Sequence, residues 1–157
     1  MTTDQNKRRQ KKMASGVKIT NEEMQMMNIF ETTTGAHTKD CIIDQKLNRI
    51  IFIVKEGDMG LALGRQGSNL KRVKELLKKN IDVVEYAEIP EELVKKALAP
   101  ARIKTVSMTQ RKDGRKVAIV TVDAKDRGVA IGKGGRNVEK ARIIARRYLD
   151  IQDVIIT

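Results

Sequence analysis

IFIVKEGDMGLALGRQGSN at residues 51–69 and IVTVDAKDRGVAIGKGGRN at residues 119–137 are one pattern written twice. Shifted by 68 positions, Ile51, Val54, Asp58, Gly60, Ala62, Gly64, Gly67 and Asn69 fall on Ile119, Val122, Asp126, Gly128, Ala130, Gly132, Gly135 and Asn137. The register runs without a gap from Ile51–Lys79 to Ile119–Arg147, and apolar positions agree too, Leu61 with Val129 and Leu63 with Ile131. A repeat this long, present only twice, predicts two small domains rather than a solenoid.

Around each pattern the same element order can be read. In the first copy a helix over 21–33 opens at the capping box Thr20-Asn21-Glu22-Glu23 and closes before Gly35. Two Ile/Val-rich strands follow, near 40–44 and 49–55, joined by the polar turn Gln45-Lys46-Leu47-Asn48. A short helix at 57–63 meets the turn Gly64-Arg65-Gln66-Gly67, and the next helix carries Leu70, Val73, Leu76 and Leu77 at helical spacing. A strand from Ile81 to Tyr86 ends the copy.

The second copy repeats this with a helix at 90–98, strands near 103–109 and 116–122 around Lys112-Asp113-Gly114, and a short helix. The turn Gly132-Lys133-Gly134-Gly135, a helix at 136–149 and a strand at 151–156 follow. Domains are therefore expected at 19–87 and 88–157, preceded by a basic, disordered arm at 1–18. No Gly/Ser linker separates the copies, so the two turns are expected at a fairly fixed separation.

Charge points to a polyanion. The formal net charge is +12, and residues 101–157 carry 14 Lys/Arg against 6 acids. Aromatic residues make up only 3% of the chain, too few for a broad base-stacking platform. One cysteine (Cys41) and one histidine (His37) cannot build a disulfide or a four-ligand zinc site, so no metal or cofactor is expected. Nor do the residues offer a credible nucleophile and base, and the expectation is a binder rather than an enzyme. No apolar run reaches membrane-helix length, and a soluble, cytoplasmic protein is expected.

Gly-x-x-Gly alone is a weak signal, and Gly57-Asp58-Met59-Gly60 is a third occurrence read as a plain turn. Gly128 to Lys133 departs from a P-loop in glycine spacing and lacks its Ser or Thr. Asn137 stands where a dinucleotide fingerprint needs its third glycine. The two repeated turns gain weight from context: each lies between two helices and carries a cation, Arg65 or Lys133. Glycines let a sugar–phosphate chain approach the main chain, and the following helix presents free N–H groups to phosphates. Gly64, Arg65, Gln66 and Gly67 with Lys71 and Arg72, and Gly132, Lys133, Gly134 and Gly135 with Arg136 and Lys140, are the candidate nucleic-acid-binding residues. Leu61, Leu63, Val129 and Ile131 suit either a groove floor or the core. Asn69 and Asn137 are read as helix-start hydrogen bonders, and Asp123 and Asp126 as surface caps rather than metal ligands.

The segments Leu63-Gly64-Arg65-Gln66-Gly67 and Ile131-Gly132-Lys133-Gly134-Gly135 resemble the signature loops of KH domains. Strand order matches the type II arrangement, which implies an α+β fold. That fold is two tandem αββααβ domains, each a three-stranded mixed sheet covered by helices on one face. Phe30-Glu31, Thr34-Gly35-Ala36, Asp40-Cys41 and the bridge Ala97-Leu98-Ala99-Pro100-Ala101 are similar to archaeal NusA-like proteins over residues 18–157. The resemblance implies binding of single-stranded, nascent RNA to modulate transcription elongation or termination. No segment resembles the amino-terminal polymerase-binding domain or the OB-fold domain of bacterial NusA, so their roles are not carried over. RNA polymerase or ribosomal components are the candidate protein partners. The alternatives are a ribosomal or ribosome-assembly protein, and an adaptor docking through Met24, Met26 and Met27.

Overall fold

A computed structural model describes residues 18–157, so nearly all of the basic arm lies outside the described residues. The chain divides after Tyr86 into two compact units, the second being Ala87–Thr157. Each has the order helix, strand, strand, helix, turn, helix, strand. In the first these are α1 (Asn21–Thr34), β1 (Thr38–Asp44), β2 (Arg49–Val54), α2 (Met59–Leu63), α3 (Ser68–Leu77) and β3 (Asn80–Glu85). In the second they are α4 (Pro90–Ala97), β4 (Thr105–Gln110), β5 (Lys116–Thr121), α5 (Ala124–Ile131), α6 (Arg136–Leu149) and β6 (Asp153–Ile156).

Local chemistry sets these boundaries. Thr20 Oγ1 accepts the Glu23 N–H at 3.2 Å and donates to Glu23 Oε1 at 3.1 Å, closing the capping box that starts α1. Gly35 ends the helix with φ 81° and donates its N–H to Glu31 O. Helix α2 begins two residues later than its sequence suggested, because Glu56 and Gly57 form a turn closed by the Asp58 N–H on Lys55 O at 3.0 Å. The Asp58 carboxylate accepts the His37 N–H at 2.8 Å, which holds its pKa below the ordinary value. Asp123 occupies the position before α5 but makes no capping hydrogen bond, contrary to expectation. Its carboxylate meets Lys104 Nζ at 2.7 Å and raises the lysine pKa. Strand β6 starts two residues late; ahead of it Gln152 donates its N–H to Lys116 O, and its side-chain oxygen, in place of a backbone carbonyl, accepts the Lys116 N–H at 2.7 Å.

Both sheets are mixed. Strand β2 pairs antiparallel with β1 and parallel with β3, and β5 does the same with β4 and β6. In the first unit the alternate β2 residues Ile50, Phe52 and Val54 join Met27, Phe30, Ala62 and Val73 in one core. Phe30 and Phe52 stack with ring centroids 4.3 Å apart. Met24 and Met26 pack against the same cluster and Met27 is fully buried, so these methionines build core rather than an open docking face. Leu76 departs from the helical pattern and is 58% exposed. In the second unit α6 buries Val138, Ala141, Ile144, Ala145 and Tyr148. Among the described residues no helix is long and apolar enough to cross a membrane.

Candidate nucleic-acid interface

Each glycine turn is the junction of two helices within the crossover that joins a pair of parallel strands. Helix α2 stops because Gly64, donating its N–H to Gly60 O at 2.9 Å, takes φ 71° and ψ 178°. That region of backbone space is open essentially to glycine alone. Arg65 continues in an ordinary conformation, Gln66 takes φ 55° and ψ 30°, and Gly67 takes φ 75° and ψ 15° before α3 begins. The second turn repeats the path: Gly132 at φ 78° and ψ 166°, Gly134 at φ 64° and ψ 20°, Gly135 at φ 78° and ψ 13°. Two independent stretches of chain therefore arrive at one backbone shape.

Close packing adds a second reason for the leading glycine. A Cβ on Gly64 would lie 2.6 Å from Asn69 Cγ, and one on Gly132 would lie 2.7 Å from the backbone N of Asn137. The asparagines do not cap the helices they start; both side chains fold back onto the helix before the turn. Asn69 Nδ2 donates to Leu61 O at 2.8 Å. Asn137 Nδ2 donates to Leu98 O at 2.8 Å and approaches Ala130 O at 3.2 Å and Val129 O at 3.3 Å. Asn137 thus ties the turn to the end of α4 as well as to α5. Replacing Asn137 by Ala is expected to cost about 2 kcal/mol, and Asn69→Ala about half as much, measured by urea unfolding. Equal losses would mean the Leu98 hydrogen bond adds nothing.

The following helices start without help. Gly67 and Gly135 precede α3 and α6, and neither helix has a side-chain cap. The first N–H of each, from Ser68 and Arg136, already donates to Arg65 O and Lys133 O, so what each helix start offers an anion is the positive end of its dipole. Arg65, Lys71, Arg72 and Lys133 are exposed, Arg136 is half-buried, and none of the five has an ion-pair partner among the described residues. Lys140 breaks the expected basic face: it is only 8% exposed, on the inward side of α6 next to Ala141 and Ile144, where its hydrocarbon stem packs. Lys125 and Arg127 were not picked out from the sequence, yet both stand exposed on α5, within about two helical turns of the second glycine turn. Their signal was the Lys-Asp-Arg run just ahead of the glycines.

The helix before each turn shows an apolar face. Leu61 is 51% exposed, Leu63 37% and Val129 47%, whereas Ala62 and Ala130 are fully buried. Three of the four residues left open between groove and core thus face outward; Ile131 is half-buried. On the same two helices Gly60 and Gly128 have ordinary helical φ, and an added Cβ at either would meet nothing within 4 Å. Neither backbone conformation nor packing inside the protein calls for glycine there.

Residues 24–97 match the family model described as KH domain, and residues 90–157 match the NusA-like second KH domain. A protein of Halococcus morrhuae named "Probable transcription termination protein NusA" is 37% identical over 88% of this chain and 96% of its own length. The protein of that name from Methanocaldococcus jannaschii is 31% identical over 88% of this chain and 74% of its own. The crystal structure of APE1850 aligns with a TM-score of 0.79 at 39% identity, covering 88% of this chain and all of that one.

Proposed function

The chain belongs to the family of NusA-like KH-domain proteins, and from that premise we propose that it is a non-enzymatic transcription factor acting in termination or elongation. It holds single-stranded, nascent RNA across both glycine turns. Phosphates lie against the positive starts of α3 and α6, countered by Arg65, Lys71 and Arg72 in one unit and Lys133 and Arg136 in the other. Bases lie over the apolar faces of α2 and α5. Two grips on one chain make the second engagement intramolecular, which raises affinity without any new interaction. The relatives' names favour RNA at a transcribing polymerase over RNA in a ribosome.

The observation that carries this reading is the pair of unexplained glycines. A glycine in the middle of a helix costs about 0.5–1 kcal/mol relative to alanine, a cost that Gly128 bears in α5; Gly60, second residue of the short α2, stands at the same place in the other copy, and both have empty space outside. A ligand that lies against the helix backbone accounts for it. Gly128→Ala is accordingly expected to raise stability by about 0.5–1 kcal/mol in urea unfolding. The same variant should weaken binding of a single-stranded RNA roughly tenfold, because a methyl group then stands in the ligand's place. Destabilisation cannot imitate opposite signs in the two measurements. A more stable variant with wild-type affinity would sink the proposal.

A further inference from the structure

We infer that the first glycine turn reads base identity through Gln66, while the second holds phosphate without regard to sequence; this deepens the RNA-binding reading above and rests on it. The two turns share one backbone path but differ at its third position, where Gln66 at φ 55° is matched by Gly134 at φ 64°. The left-handed conformation costs a residue with a Cβ about 1 kcal/mol, and glycine nothing. The second turn shows that glycine suffices for the fold, so the glutamine is not there to shape the loop. Other left-handed residues have local duties: Lys78 and Asp150 each close the C-terminus of a helix with a backbone N–H. The Gln66 side chain has none. It is exposed and makes no hydrogen bond to any described residue.

The chemistry of the side chain narrows its use. A carboxamide carries no charge, so it adds little to phosphate affinity, which Arg65 beside it already supplies. It does present a donor and an acceptor side by side, the pattern that pairs with the adenine N6 amino group and N7. Unstacked bases of single-stranded RNA expose those edges. The second turn offers only the point charge of Lys133 and no side chain at 134. Charge divides the same way: residues 18–86 carry 11 Lys/Arg against 10 acids, and residues 87–157 carry 16 against 9. Selectivity thus sits in the nearly neutral unit and electrostatic grip in the basic one.

The test selects a random pool of twelve-nucleotide RNAs on the immobilised full chain, followed by sequencing of the retained fraction. Wild type is expected to enrich an adenine at one fixed position. Gln66→Gly, which copies the backbone of the second turn, should cut that enrichment at least about fivefold. Gln66→Asn keeps the amide and tolerates left-handed φ, and should keep the adenine. An adenine enriched equally by wild type and Gln66→Gly would overturn the inference, as would wild type retaining RNA with no base preference. Retention of no RNA at all by wild type would overturn the binding proposal beneath it.

Discussion

Exchanging Lys133 and Gly134 together for aspartate is expected to weaken single-stranded RNA binding by at least about a hundredfold near 0.1 M salt, with the fold intact. The change replaces one exposed cation by two anions at the start of α6, where the positive end of the helix dipole lies. Like charges set against each other cost several kcal/mol, and each 1.4 kcal/mol is a factor of about ten. The backbone accepts the new side chains. Lys133 has an ordinary conformation, and the left-handed position of Gly134 is the one that Gln66 occupies in the first turn. Aspartate visits that region more readily than most residues. An anisotropy titration with a fluorescent oligonucleotide reads the affinity, and its salt dependence should flatten by about 0.7 for each phosphate that the variant no longer neutralises. A variant that binds like wild type would remove the second turn from the interface.

The largest effect on stability is expected from Gly132→Ala, a loss of roughly 3 kcal/mol in urea unfolding followed by circular dichroism. Two costs combine, the glycine-only backbone region and the collision with Asn137, each worth about 1–3 kcal/mol. Because the nearest atom is the Asn137 backbone N, no side-chain rotation relieves the clash. Gly64→Ala collides instead mainly with the Asn69 carboxamide, which can swing aside at the expense of its bond to Leu61 O, leaving only the contact with Asn69 Cβ at 2.9 Å. Its loss should be smaller. A loss below about 1 kcal/mol at Gly132 would contradict the geometry of the turn.

Fold and glycine turns were legible in the sequence because their signals are local or repeated. The Thr20–Glu23 box, Gly35 after a helix, and alternation along Ile50, Phe52 and Val54 each report a nearby constraint. What escaped depends on the third dimension. Lys140 lies among residues that α6 turns inward, and its burial is set by what packs there rather than by its own polarity. Asp123 forgoes the helix end for Lys104, a partner 19 positions away. Gly60 and Gly128 show the limit most clearly. A repeated glycine within a helix implies a close approach, but only the surrounding space tells whether the visitor is another part of the protein or something from outside.

Parallel pairing in each sheet has a consequence for synthesis. Strands β2 and β3, like β5 and β6, cannot meet until the whole helix–turn–helix between them has closed. The two glycine turns therefore form in succession as the chain leaves the ribosome. Gly64–Gly67 can settle as soon as Asn80–Glu85 clears the exit tunnel, while Gly132–Gly135 must wait for Asp153–Ile156. A nascent chain stalled after Leu149 would already have formed the first glycine turn while the second had not yet formed.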